Sequence, residues 1–399
     1  MWEEIRSNQI RSVVLTIGMG VLLVLVGYFL GLYFFDNAIA GLVIAILLWV
    51  ILSLVGYFQG DSILLGMSRA KKIKPDDHPR LYNVVEEMKI ASGLEKMPDI
   101  YIIDDPALNA FATGRDPNRA SVAITSGLLQ KLNRDELQGV IGHELAHIKN
   151  RDVLLMAMCS VLLGTIVILA WYGSRMALFG AMFGGRRSSS RGGGGGNIII
   201  LVVALAFMIL APIFAQLIYL AISRKREYLA DASSALYTRY PEGLASALEK
   251  LASSTSQLKS ANQATAPMYI INPFRKKGLK ASDLTSTHPP ISERIRILRA
   301  MAGASFYNYD QAYRQMHGGQ GVIPATSLAA ETVPIATARL EAEAGEPNEL
   351  QRARETSDAM WRLSNYNTII CDCGAKLRVP PNFKEPQIKC PHCGRIHQI

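Results

Sequence analysis

Four stretches of the chain carry no charged residue: Val13–Phe35, Ala38–Phe58, Val153–Ser174 and Asn197–Ser223. Each is close to the ~20 residues a helix needs to cross a bilayer, and none shows the polar stripe of a helix packed on a soluble surface. The pattern predicts four membrane-spanning helices. The first stretch outruns the ~7–15 apolar residues of a secretory leader and a second follows at once, so it reads as an anchor despite the small residues Ala38 and Ala40. Between the apolar stretches the pattern shortens. Ile100–Ile103 and Ser121–Thr125 read as strands, and Asn133 with Glu136 makes a capping box that opens a helix running through His147.

Only Asp36 and Asn37 separate the first two spans, which therefore form a hairpin with both outer ends on one side. That side carries Arg6, Arg11, Arg69, Lys71, Lys72 and Lys74, and Lys149, Arg151, Arg224, Lys225 and Arg226 beside the later spans map to it too. The positive-inside rule makes it the cytoplasm; Arg175, Arg186, Arg187 and Arg191, between spans three and four, count the other way. Ser188–Ser190 and Gly192–Gly196 in that loop predict a flexible connector. They do not make a phosphate cradle, which needs a strand before it and a helix after it. Pro212 predicts a kink in the fourth span.

Composition agrees with this layout. A chain of 399 residues that is 49% hydrophobic and 19% charged is neither disordered nor a disulfide-stapled toxin. The excess of 42 Lys+Arg over 33 Asp+Glu, a net charge of +9, follows the flanks of the spans. The reading yields a transmembrane hairpin (1–59), a soluble block (60–152), spans three and four with their loop (153–223), a second soluble block (224–318), a linker with one polar helix (319–365) and a C-terminal module (366–399).

The chemistry concentrates in His143-Glu-Leu-Ala-His147. On a helix the two histidines lie one turn apart on the same face, so both imidazoles reach one Zn2+, and Glu144 is placed to take a proton from the attacking water. A catalytic zinc needs a third protein ligand. Glu227 is the candidate, just past the fourth span, with Asp231 one turn on to hydrogen-bond a ligand imidazole; alone, this acidic pair would read as a solvated helix face. No Ser/His or Cys/His nucleophile arrangement competes. His78 and His317 fall outside the motifs and read as surface or loop residues without a function.

These residues, with Arg226-Glu-Tyr-Leu-Ala-Asp231, Asn109-Ala-Phe-Ala-Thr-Gly114, and Thr287-His-Pro-Pro290 followed by Arg294, resemble the HtpX family of membrane-bound zinc metalloproteases, related to the CAAX prenyl endopeptidases. The resemblance covers roughly residues 1–300. It implies a mainly α-helical integral membrane protein with four transmembrane helices and an α+β, zincin-like cytoplasmic catalytic domain. It implies His143, His147 and Glu227 as zinc ligands, Glu144 as general base, and Asp231 and Arg294 as supports behind them. It further implies that Asn109, Ala110, Phe111 and Ala112 belong to an edge strand that pairs with the substrate backbone. For His288 two readings stay open: a turn residue before the helix Ile291–Ala300, or, from the resemblance, a donor to the oxyanion.

Beyond the family pattern lies Cys371-Asp-Cys373, then sixteen residues, then Cys390-Pro-His-Cys393. Paired cysteines at that spacing predict a structural zinc ribbon, whereas the inferred cytoplasmic side disfavours two disulfides. Cys159, within the third span, reads as a small buried hydrophobe. Lys376, Arg378, Lys384, Lys389 and Arg395 lack an accompanying aromatic series, so the module is expected to bind substrate or a protein partner and not nucleic acid. The chain is thus expected to be a multi-pass endopeptidase of the cell (inner) membrane with one catalytic and one structural zinc. Its expected substrates are proteins or peptides, damaged or misfolded membrane proteins by resemblance. A dedicated processing protease and a catalytically silent zinc-binding adaptor are the alternatives.

Overall fold

The computed structural model describes residues 2–183, 224–254, 269–271, 288–319, 321–329 and 346–399, with isolated positions among 202–213 and 256–259. Helices α1 (Trp2–Phe35) and α2 (Ala38–Met67) form the hairpin that the Asp36–Asn37 break predicts. Asp36 takes a left-handed φ of 53°, and Asn37 caps α2 by accepting from the Ile39 and Ala40 amides. The helices meet through glycine: a Cβ on Gly41 would lie 2.6 Å from Gly31 Cα. Small residues let two apolar helices approach this closely. Among the described residues α2 is the one helix long and apolar enough to cross a membrane; Thr16–Leu32 and Leu163–Tyr172 are shorter apolar segments of longer helices. The third expected span lies in α6 (Asp152–Phe183), whose Leu155, Leu163 and Ile166 pack against Met19, Leu22, Leu23 and Val26 of α1. Most of the fourth, and the Ser/Gly-rich loop, lie outside the described residues.

The soluble part is built on a four-stranded sheet in the order β1 (Lys71–Lys72), β2 (Asp99–Ile103), β4 (Arg119–Thr125), β3 (Ala110–Asp116). Both strands read from the sequence are present, and they pair in parallel with Ile102 opposite Ile124. β3 runs antiparallel to β4 at the sheet edge and is bulged between Gly114 and Asp116. Gly114 takes φ +137°, and a Cβ there would come within 2.7 Å of Ala120 Cα.

α3 (Pro79–Ser92) and α5 (Arg134–Lys149) pack together beside this sheet, and α4 (Ser126–Lys131) leads from β4 into α5. α5 is buried almost throughout, capped by the expected Asn133/Glu136 box. Close by lie α7, helical over 224–238 among the described residues, α8 (Pro241–Ser253), α9 (Ile291–Arg299) and α10 (Phe306–His317). Gly139 lets α8 approach α5, since a Cβ there would sit 2.7 Å from Leu244 N.

His78 departs from the sequence expectation of a surface position. It is buried, caps α3 by accepting from the Leu81 amide at 3.3 Å, and faces Thr356. The reason is a helix that covers it. Within 319–365 lie α11 (Ala325–Ala329) and α12 (Glu349–Leu363), and Arg352 of α12 donates to Pro347 O and, at 3.2 Å, to the Gln130 carbonyl at the end of α4. From α12, Asp358 grips Lys376 and Arg378, and Arg378 lies 5.0 Å over the Trp361 ring. The terminal module is thereby fixed to α12. It consists of hairpins β5 (Asn367–Ile370)–β6 (Lys376–Val379) and β7 (Gln387–Lys389)–β8 (Ile396–Gln398).

Candidate metal centre and active site

α5 presents His143 and His147 on one face, with Nε2 atoms 3.2 Å apart. From α7, Glu227 brings Oε1 to 3.4 Å from His147 Nε2 and Oε2 to 3.6 Å from His143 Nε2. All three side chains are buried. Donors bound to one zinc at about 2.0–2.1 Å in tetrahedral array lie roughly 3.3–3.4 Å apart, so these atoms suit that ion. Two imidazole nitrogens facing each other at such a distance also call for a cation or a proton between them.

The far side of each ring is fixed by a carboxylate. His143 Nδ1 lies 3.0 Å from Asp231 Oδ1, and His147 Nδ1 lies 3.0 Å from Asp152 Oδ2, which turns both Nε2 atoms toward Glu227. Asp152 is absent from the sequence reading. α5 ends at Lys149, and Arg151 beyond it, with a left-handed φ of 60°, turns the chain so that the first residue of α6 faces back on His147. The available signal was an acid placed immediately before an apolar span.

Arg294 of α9 completes the support. Fully buried, it donates to both Asp231 oxygens at 2.6 and 2.8 Å and to Ile270 O at 3.3 Å, with Nη1 3.5 Å from Glu227. His288 reaches the same carboxylate: Nδ1 is 2.8 Å from Glu227 Oε2. The residue that precedes α9 as its cap is Pro290, not His288, and it offers no side-chain bond.

Electrostatics follow the geometry. Burial by itself would lower His143, but Asp231 and Glu227 outweigh it and hold the imidazole up at about 9. Burial pushes Glu227 up, yet His288 and the two α5 histidines hold it well below the usual carboxylate range. Glu144 is different. Burial raises it, with the histidine charges and a hydrogen bond from the Ala112 amide opposing. A carboxylate raised toward neutrality beside a cation site is suited to accept and return a proton.

That Ala112 amide belongs to β3, so the edge strand passes beside Glu144. The four residues expected to line the cleft are not equivalent. Ala112 presents its N–H to the site, Phe111 packs edge-on against Tyr269 at 5.3 Å, Ala110 O accepts from Ile270 N at 3.0 Å, and Asn109 Nδ2 donates to Ile271 O. Residues 269–271 were not singled out by the sequence.

In the terminal module Cys371, Cys373, Cys390 and Cys393 converge, with Cys371 Sγ 3.4 Å from Cys393 Sγ and Cys373 Sγ 3.7 Å from Cys390 Sγ. These are free thiols. Thiolates on one zinc at about 2.3 Å lie roughly 3.8 Å apart, which fits the arrangement.

A family model described as Peptidase family M48 matches residues 75–302. The "Protease HtpX homolog" of Streptococcus mutans serotype c is 43% identical over 298 residues, covering 75% of this chain and 99% of the relative. That of Dictyoglomus turgidum is 47% identical over 243 residues, covering 61% and 76%. Among solved structures, S. mikatae Ste24p is 21% identical with a TM-score of 0.40, covering 75% of this chain and 67% of that one.

Proposed function

Since the chain belongs to peptidase family M48, alongside the HtpX membrane zinc metalloproteases, we propose that it hydrolyses peptide bonds of membrane proteins at the cytoplasmic membrane face, in quality control of damaged or misfolded chains. The observation that carries the reading is the buried trio His143, His147 and Glu227 with Glu144 beside it.

His143, His147 and Glu227 would hold the catalytic zinc, which supplies Lewis acidity toward a peptide carbonyl and ionisation of water near neutral pH. Glu144 takes the proton of the attacking water and hands it to the leaving amine. Asp231 and Asp152 keep the imidazoles oriented, and Arg294 neutralises Asp231. His288, held through Nδ1 by Glu227, turns its Nε2 edge away from that carboxylate and is our candidate donor to the oxyanion. β3 pairs with the substrate as an added strand. The four cysteines hold a second, structural zinc, and the ribbon serves a protein partner.

The proposed topology keeps four spans in the layout of 1–59 and 153–223, with the catalytic blocks and ribbon cytoplasmic. α2 and the lysines and arginines beside the spans support it. The decisive experiment compares wild type with Glu144→Gln in detergent for zinc content and casein cleavage. The variant is expected to retain zinc and lose cleavage; a fully active Glu144→Gln protein would refute the assignment of the base.

A further inference from the structure

The edge strand β3 is treated differently at its two ends. At the Asn109–Ala110 end it already has a neighbour. Ile270 N–H donates to Ala110 O at 3.0 Å, Ile271 O accepts from Asn109 Nδ2 at 3.2 Å, and Ile270 O is held by Arg294 at 3.3 Å. Tyr269 and Ile270 are each 1% exposed, and the Tyr269 hydroxyl lies 3.3 Å from Ser68 Oγ. Arg294 is the same group that neutralises Asp231 behind His143. Lifting the segment would take an acceptor from a fully buried guanidinium, so residues 269–271 are a built wall.

Beyond Ala112 the strand meets a different boundary. The bulge at Gly114 re-aims the next side chain, and Arg115 lies 6.0 Å from the Tyr57 ring and 5.6 Å from the Phe58 ring. These aromatics close the uncharged stretch Ala38–Phe58 within α2, ahead of its first charged residue, Asp61, and are 42% and 58% exposed. Exposed aromatics at the end of an apolar stretch mark the border between hydrocarbon and water. The edge thus runs from a wall near Glu144 to the membrane border.

We infer that the substrate cleft is one-sided: Tyr269–Ile271 close it at Ala110, so substrate is gripped along Ala112–Asp116 on the single side of the scissile bond that leads to Tyr57 and Phe58. The inference rests on the peptidase reading and on Ala112, whose amide meets Glu144, marking the level of the reacting bond. From there to Asp116 the strand advances four residues, roughly 13 Å at ~3.3 Å per residue. On the wall side, room remains for about two residues before the chain must turn away. The substrate class that fits is a polypeptide whose gripped side emerges from the bilayer surface and whose other side is short or sharply turned.

The test uses the full chain, zinc-loaded, and nested synthetic peptides about one bond that the wild type cleaves and Glu144→Gln does not. Trimming one end to about two residues from the bond is expected to leave kcat/KM unchanged, whereas trimming the other lowers it in steps at alternate residues, roughly twofold to tenfold for each strand hydrogen bond lost. An acyl chain on the trimming-sensitive end is expected to raise kcat/KM in phosphatidylethanolamine/phosphatidylglycerol vesicles, and on the other end to have no effect. Ile270→Pro, which removes the donor to Ala110 O, should make the tolerant end sensitive while zinc content is retained. If that variant loses zinc, Asn109→Ala, which removes the bond to Ile271 O, takes its place. Equal sensitivity of both ends, or equal stimulation by either acyl chain, would overturn the one-sided cleft and leave the peptidase intact. Absence of any Glu144-dependent cleavage would instead overturn the peptidase reading.

Discussion

His147 Nδ1 lies 3.0 Å from Asp152 Oδ2, and Asp152 opens α6. A side chain of the candidate metal centre is therefore oriented by the end of a long apolar helix, with Arg226 of α7 3.8 Å from the same carboxylate. Asp152→Ala should weaken zinc binding by roughly tenfold to a hundredfold, whereas Asp152→Asn, still an acceptor, should keep most of the affinity. Competition with a coloured chelator measures it. Unchanged affinity in both variants would remove Asp152 from the centre.

Arg294 is fully buried and makes a forked contact with Asp231 at 2.6 and 2.8 Å. Arg294→Ala strands a buried carboxylate and should cost about 3–5 kcal/mol of stability. Arg294→Lys keeps the charge but cannot reproduce the fork, and should fall between. Thermal melting in detergent reads the order; a variant pair that melts with the wild type would contradict it.

The buried His78 makes stability depend on acid. Burial, then the neighbouring Arg80, lower its pKa from 6.5 to about 4. Between those values the unfolded chain holds a proton that the folded chain refuses, so stability should fall as pH drops from about 6.5 toward 4, by up to roughly 3 kcal/mol. Above pH 6.5 the residue contributes no pH dependence. His78→Asn retains a helix cap and should flatten that slope; identical melting profiles from pH 7 to pH 5 would exclude the effect.

In the ribbon, Cys371 and Cys390 are buried while Cys373 and Cys393 are exposed. Replacing Cys371 and Cys390 by Ser should remove one zinc per chain and leave the zinc at His143, His147 and Glu227 in place. Elemental analysis of the purified proteins decides this. Loss of both ions would show that the two sites are coupled.

Legibility in the sequence followed the range of the forces involved. The capping box, the i, i+4 histidines, the cysteine pairs and the Asp36–Asn37 break are local, and each appears where its spacing predicts. Asp231 was readable from its place one turn after Glu227, whereas Arg294, 63 residues from it, became readable only through resemblance. Asp152, the wall at Tyr269–Ile271 and the burial of His78 were not legible. Each depends on a turn or on a distant helix arriving against it: Arg151 at positive φ, Arg294 holding Ile270 O, and α12 covering His78. The edge position of β3 is likewise a property of sheet order and not of its own residues.

Arg352 binds α12 to the end of α4, and Asp358 with Trp361 binds the ribbon to α12. The ribbon is accordingly a mounted part and not a tethered one. A random-coil tether lets a captured molecule sample a volume, so its local concentration at any target falls as the tether lengthens. A mount has no such statistics. A protein bound there would be presented along one bearing and at one reach, like work in a jig on a lathe, and lengthening or loosening α12 would change the point of presentation rather than its frequency.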